Sequence, residues 1–456
     1  MTDALIAVLG GPSASGILSG PPPNPYFVEL TPSPDTARIP GASTVSPQPE
    51  IRVVIEDGQT AVNTASVRLQ VDGGTIVVPT VNKAATTTTV TYTPPGYLSP
   101  GIHRVNINFT DDAVPANALG TQWQFAVGPY VGLPAGAAGA PGSANTPGLI
   151  VRTVQAPRDT NIFNLNTLIR AIKQLNGTLV DTGGVLVANV AVAGPNANGT
   201  YNANIIDLHL GGAPYAIFMN DTQFPGIPGT DGGVDNFTTE VLGFLELRAG
   251  IHRLGVTVNT DRTDTETDDG YVLLSGRDAR DIQAPMVGSF FRGSVPPFSS
   301  AFTTNEFTVV ASVDGIYSFR LVFYQTRNDA ALEFYSVDAA TGDKILINDS
   351  ADARSIKSYL RSTAPFSNKP YTAEINPPPG VAGVSSMLPV EILLLDDQTQ
   401  VNTSSIQLSL NGALVTPSIT RTGGRTTIFY QPNATRINPT NNMRLVYRDN
   451  STPTPQ

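Results

Sequence analysis

One stretch of this chain occurs twice, and that repetition constrains the fold more than any other feature. Residues 51–73 read IRVVIEDGQTAVNTASVRLQVDG and residues 390–412 read VEILLLDDQTQVNTSSIQLSLNG, aligned without a gap at an offset of 339. The shared pattern is Asp-x-Gln-Thr-x-Val-Asn-Thr-x-Ser, followed by an alternating strand and a glycine. A repeat of this kind means that one structural unit is built twice. In the first copy Val67, Leu69 and Val71 alternate with Arg68, Gln70 and Asp72; in the second Ile406, Leu408 and Leu410 form the apolar set. A period of two gives one buried and one wet face. Asp72-Gly73 and Asn411-Gly412 then supply the positive-φ pair of a tight hairpin.

Further strands follow in matching order. Val90 and Tyr92 correspond to Ile428 and Tyr430, and Val105, Ile107 and Phe109 to Met443, Leu445 and Tyr447. Short alternating strands separated by turn signals over about 100 residues predict an antiparallel sandwich. The pattern resembles the cysteine-free bacterial Ig-like domains found in long secreted and cell-surface proteins. The second copy has no counterpart of Thr121–Tyr130, in which Trp123, Phe125 and Val127 alternate as a last strand. A sandwich without that strand has an open groove and unpaired strand edges.

Composition narrows the class. The chain has 456 residues, which suggests roughly three domains at about 150 residues each. Charged residues make up 14%, and 42 Gly with 38 Pro mark many turns. The absence of cysteine excludes disulfide scaffolds, Cys-based zinc sites and thiol catalysis. A net charge of −10 without a basic patch argues against nucleic acid, and no apolar run is long enough to insert in a membrane.

The middle block starts with one helix pattern, in which Leu165, Leu168, Ile169, Ile172 and Leu175 share a face. Asn164 or Asn166 is the expected cap, and Asn176-Gly177 the stop. Strands dominate afterwards. Three segments follow in order. The first is Leu247-x-Ala249-Gly250-x-His252-Arg253-x-Gly255-Val256, and the second is Asp268-Asp269-Gly270-Tyr271. The third runs from Asp314-Gly315-x-Tyr317-x-Phe319 to Leu332-Glu333-Phe334-Tyr335-Ser336. Their order and spacing resemble the jelly-roll domain named after anthrax protective antigen, which also occurs in yeast flocculin adhesins, glycosidases and many bacterial secreted proteins.

The densest polar cluster is the stretch 261–270, with five carboxylates among Asp261, Asp264, Glu266, Asp268 and Asp269. Clustered carboxylates on a loop suit calcium, a hard ion taking six to eight oxygens. In sugar-binding relatives of this jelly roll an adjacent Asp-Asp pair holds calcium, and calcium holds sugar hydroxyls. Asp268 and Asp269 match that pair, with Asp264 and Glu266 as further ligands. The inserted acidic stretch ahead of the pair departs from many relatives. The plainer reading is a tight Asp-Asp-Gly turn beside solvated acids. A second candidate rim is the loop 220–236, with Asp221, Asp231 and Asp235; the plainer and favoured reading is a surface loop with Asx turns.

Signatures of enzymes are missing. His103, His209 and His252 are far apart in sequence, and no HExxH, GxSxG or P-loop motif occurs. Glu240 and Glu246 are a conceivable glycosidase pair, one that any acidic β-protein offers. Trp123 reads as core. The N-terminal run containing Leu5, Ile6, Val8 and Leu9 lacks the basic flank of a signal peptide. It pairs naturally with the missing last strand of the second sandwich, since an extended apolar segment from another chain completes an open sheet. The plainer and favoured reading is a longer repeating chain, cut at both ends, whose next segment supplies the strand.

The sequence therefore predicts an all-β protein: two Ig-like β-sandwiches flanking a jelly-roll β-sandwich domain that carries one short helix. Expected bounds are an N-terminal extension over 1–24 and a first sandwich over 25–130. A Gly/Ala/Pro linker over 131–148, the jelly roll over 149–364, and the incomplete sandwich over 365–456 follow. The expected role is a non-catalytic structural and adhesive protein, extracellular or at the cell surface by resemblance, with calcium as cofactor and surface or matrix glycans as partners. The alternatives are a filament subunit self-associating by strand donation and, more distantly, an accessory part of a carbohydrate-active enzyme.

Overall fold

The computed structural model describes residues 21–38, 44–158, 160, 167–211, 216–219, 221–259, 269–291, 302–327, 329–361, 368–380, 385, 387–432 and 440–451. The chain is all-β apart from short helical pieces and forms two compact units, Met1–Tyr130 and Val131–Gln456.

The first unit is a sandwich. Its strands are β1 (Tyr26–Thr31), β2 (Ile51–Glu56), β3 (Val62–Val71), β4 (Thr80–Ala84), β5 (Thr87–Tyr92), β6 (Gly101–Asp111) and β7 (Ala118–Val127). One sheet has the order β1-β2-β5-β4 and the other β3-β6-β7. Their inward residues share one core, with Ile51, Val53, Val90, Val105, Ile107 and Phe125 fully buried. Trp123 belongs to that core, and its indole N–H donates to Pro32 O at 2.9 Å.

The polar residues of the repeated motif act as a clasp, and both copies use them alike. Asp57 Oδ1 accepts from Val62 N, and Asp396 Oδ1 from Val401 N, each at 2.9 Å. Thr60 Oγ1 donates to Asp111 Oδ2, and Thr399 Oγ1 to Asp449 Oδ2, each at 2.8 Å. Ser66 Oγ donates to Asn63 O and accepts from Thr110 N; Ser405 Oγ donates to Asn402 O and accepts from Arg448 N. The serines sit where the register slips, between Asn63 and Arg68 and between Asn402 and Gln407. A slipped ladder exposes backbone groups, and a hydroxyl that both donates and accepts resatisfies them. The predicted turns follow, with φ of 51° and 71° at Asp72-Gly73 and 49° and 85° at Asn411-Gly412.

The second unit opens with a larger sandwich. Its main strands are β8 (Leu149–Gln155), β9 (Asp207–Leu210), β10 (Thr222–Gln223), β11 (Phe237–Leu247), β12 (Gly250–Asn259) and β13 (Gly270–Gly276), then β14 (Met286–Phe290), β15 (Phe302–Ala311), β16 (Gly315–Gln325) and β17 (Ala330–Val337). One sheet runs β8-β11-β16-β13-β14 and the other β10-β9-β17-β12-β15. Val241, Leu321 and Phe323 of the first meet Val256, Leu332 and Phe334 of the second in a single core.

One helix, α1 (Leu168–Asn176), covers the outer face of the first of these sheets. Its cap is Thr167, whose side chain accepts from Arg170 N, rather than the expected asparagines, and Gly177 closes it at φ 65°. Asn164, Leu165 and Asn166 lie outside the described residues. Ala171, Ile172 and Leu175 pack on Val272, Leu274, Val322 and Tyr324, whereas Ile169 is 49% exposed and leaves the predicted stripe. With helix on one side and core on the other, every residue of β16 is buried, so the alternation read for Tyr317, Phe319, Leu321 and Phe323 marks only its inner face.

The unit closes with the second copy of the repeat, in strands β18 (Tyr371–Asn376), β19 (Val390–Leu395), β20 (Val401–Leu410), β21 (Ala413–Val415), β22 (Ser418–Thr422), β23 (Arg425–Tyr430) and β24 (Met443–Asp449). The sheets have the orders β18-β19-β23-β22 and β21-β20-β24. The position that β7 holds beside β6 is taken by no described strand beside β24.

Candidate cation site

Three carboxylates converge on the outer face of the second sheet of the central sandwich. Asp207 on β9 and Glu333 on β17 are direct cross-strand partners, so their side chains leave the sheet together. Leu208 and Leu332 beside them point into the core, which sends Asp207 and Glu333 the other way. Strand β10 lies parallel to β9, pairing Leu208 with Thr222, and this sets Asp221 next to Asp207. The three groups each offer an oxygen within 4.8 Å of the others.

Two of the three are nonetheless withdrawn from solvent. Asp207 is 1% exposed and Glu333 fully buried, with Asp221 half-buried. Residues 216–219 close over this face. Phe218 N donates to Glu333 Oε1 at 2.7 Å, and the Phe218 ring lies 6.0 Å from that of Tyr335. Neither Asp207 oxygen receives a hydrogen bond from a donor among the described residues. A buried carboxylate without donors is costly, and three in contact cannot all remain charged without a compensating cation.

The electrostatics carry the same message. Burial, with the neighbouring charges of Asp221 and Glu333, pushes the Asp207 carboxyl up to about 7. Burial also raises Glu333, against hydrogen bonds from Phe218, Ile217 and Thr257. An all-oxygen set of this charge suits a hard divalent ion ligated at about 2.3–2.6 Å. Asp207, Asp221 and Glu333 are the residues that would hold it.

The sequence-predicted ligands divide. Asp264, Glu266 and Asp268 lie outside the described residues. Asp269 is buried, and its Oδ2 accepts from Asn259 N at 3.1 Å and Ala331 N at 3.0 Å. It therefore ties the end of β12 to the start of β17, two residues along that strand from Glu333. Asp329 adds a carboxylate at this end. It lies against Gly211, whose φ of 118° and lack of Cβ permit the approach.

Within the second loop, Asp221 joins the triad, but Asp231 closes a turn. Its carboxylate accepts from Arg158 N at 2.8 Å and Gly233 N at 2.9 Å, and these bonds hold it below the usual carboxylate range. Asp235 contributes its backbone carbonyl to Gln155 Nε2. Leu5, Ile6, Val8 and Leu9 fall outside the described residues.

Sequence reading missed Asp207 and chose Glu333 only as part of a strand. The available signal was a carboxylate inside an apolar run, Leu332-Glu333-Phe334, which alternation assigns to a wet face.

The glutamates considered for glycosidase chemistry have other partners. Glu240 is buried between Arg152 at 2.9 Å and Arg320 at 2.7 Å. Burial opposes its ionisation, yet the two guanidinium charges outweigh that and keep it ionised. Glu246 accepts from the Tyr359 hydroxyl at 2.7 Å. His103 is buried with its ring nitrogens 2.6 Å from Asp72 Oδ2 and Ser99 O, and His252 Nε2 lies 2.8 Å from Arg248 O.

No protein-family model matches the chain, and no curated protein matches it. Among solved structures it is similar to the A domain of Epithelial Adhesin 9 from Candida glabrata in complex with Galb1-3GlcNAc. The identity is 12% over 51% of this chain and 98% of that one, with a TM-score of 0.32. It is also similar to the PA14 sugar-binding domain from an RTX adhesin, at 15% identity over 44% of this chain and 96% of that one, TM-score 0.25. A third similar structure, from carbohydrate-binding modules of the β-sandwich superfamily, shows 10% identity over 68% of this chain and 96% of that one, TM-score 0.23.

Proposed function

We propose that this is a non-catalytic adhesive protein of the cell surface or extracellular space, whose central jelly roll takes up calcium and recognises glycan. The observation that carries the cation is the triad Asp207, Asp221 and Glu333, with Asp207 lacking a hydrogen-bond donor among the described residues. The ion neutralises the three acids and holds residues 216–219 and Asp221 against the sheet, two residues along β17 from the Ala331 N–H that Asp269 binds. Glycan as the ligand class rests on the order of the three jelly-roll segments in the sequence, including Asp268-Asp269-Gly270-Tyr271.

The cation-free protein has a defined pH response. Asp207 is raised from 3.8 to about 7, so the folded state binds more protons than the unfolded one between those values. Its contribution to stability is complete below about 3.8 and is lost as pH rises through about 7. Calcium replaces the proton, so its stabilising effect grows with pH. Calorimetric titration is expected to show calcium heat with proton release, and a melting temperature several degrees higher at pH 8 than without calcium. The gain shrinks towards pH 5. Asp207→Asn and the milder Asp221→Asn both remove it. Absence of heat and of any melting shift with calcium sinks the cation site. Glycan-array binding unaffected by chelation sinks its link to recognition.

A further inference from the structure

We propose that the edge of β24 that no described strand covers accepts an extended strand from residues 4–9 of a second copy of this chain. The first sandwich shows what belongs there. Along β6, Val105, Ile107 and Phe109 are at most 3% exposed because β7 pairs with the whole strand and adds Trp123, Phe125 and Val127 to the core. In β24 the matching Met443, Leu445 and Tyr447 are only half-buried, and β20 is the strand's one described partner. Among the described residues no strand pairs with the remaining edge, which runs along a partly filled core, and this is the geometry that strand addition completes.

The occupant follows from length, hydropathy and charge. Ala4–Leu9 is an uninterrupted apolar run, and six extended residues span about 20 Å, close to the length of the seven-residue β24. Residues 10–20 connect the run to Pro21–Pro23, where the carbonyls of Pro22 and Pro23 accept from Gln59 N and Thr60 N of the first sandwich. The wet face of β24 carries exposed Arg444 and Arg448, whereas residues 1–20 contain Asp3 and no Lys or Arg. Donor and acceptor are different surfaces, so copies associate either by reciprocal exchange within a pair or head to tail, in a ring where the rotation closes and an open chain where it does not.

The test uses the full chain, a variant lacking residues 1–12, and a variant in which a glycine-serine linker and residues 118–127 follow Ser451. Sedimentation velocity is expected to show concentration-dependent oligomers of the full chain and monomers of both variants. A labelled peptide of residues 1–12 is expected to bind the shortened chain at least about tenfold more tightly than the self-complemented one. A full chain that stays monomeric at all concentrations overturns the proposal. So do oligomers that survive the self-complementing strand, since the edge is then not the contact. Oligomers that survive loss of residues 1–12 but vanish on self-complementation overturn the named donor. The two variants change opposite ends of the exchange, so misfolding of one leaves the other decisive.

Discussion

The two copies of the repeat share their turns, their serine-bridged slips and their Asp–Thr clasps, yet they differ in how completely their cores are covered. In the first sandwich β6 has β3 on one side and β7 on the other. In the second, β24 has β20 on one side and no described strand on the other. Local chemistry is thus the same in both, while burial differs along one strand: Ile107 is fully buried and Leu445 is not. The difference teaches that the repeated motif specifies the hairpin and the slip, and that the outermost strand supplies the last part of the core.

That contrast can be attacked by substitution. The largest effect is expected from Trp123→Ala, which empties the core beneath β7 and removes the bond to Pro32, at about 3–5 kcal/mol. Scanning calorimetry should show one transition falling sharply. Next comes a matched pair. Ile107→Ala should cost about 2–5 kcal/mol and Leu445→Ala about 1–2 kcal/mol, because the second site already meets solvent. Trp123 is the chain's one tryptophan, so its fluorescence follows the first sandwich and calorimetry follows the second. Equal costs at the two sites would break the comparison.

The smallest effect concerns acid. Burial alone would raise Asp111, but hydrogen bonds from Asn117, Thr60 and Ala113 outweigh it and lower the carboxyl to about 2. A depressed folded-state value gives stability that is complete above the unfolded value of 3.8 and is lost as pH falls through about 2. Tryptophan fluorescence should report loosening of the first sandwich across that range, and Asp111→Asn should flatten the response. An unchanged acid profile in the variant would remove Asp111 from the clasp.

Much of the architecture was legible because it is local. Alternation in Val67-Leu69-Val71 and in Ile406-Leu408-Leu410 follows from the pleat, and Asp72-Gly73 and Asn411-Gly412 are turn residues for steric reasons. The helix stripe was legible in Ile172 and Leu175 and misread at Ile169, which stays 49% exposed while the polar Arg170, Gln174 and Asn176 are buried by partners distant in sequence. Its cap was misassigned because Thr167 and the nearby asparagines have the same capping chemistry, and only the chain's path selects among them.

The candidate site was legible only in its residue type. The sequence places acids densely over 261–269, and that density, with the resemblance of Asp268-Asp269 to a calcium-holding pair, points there. Of these acids the structure describes Asp269, which spends Oδ2 on two backbone N–H groups. The acids that meet come from β9, from the loop before β10 and from β17. What the sequence determined alone is the all-β class, the repeat and its turns, since each depends on neighbours a few residues apart. What the tertiary structure alone decided is which carboxylates converge on one largely buried spot. Register between β9 and β17 sets Asp207 against Glu333, and the parallel return of β10 adds Asp221. Like charges are expensive to bury together, and no local signal in a chain announces where the fold will do so.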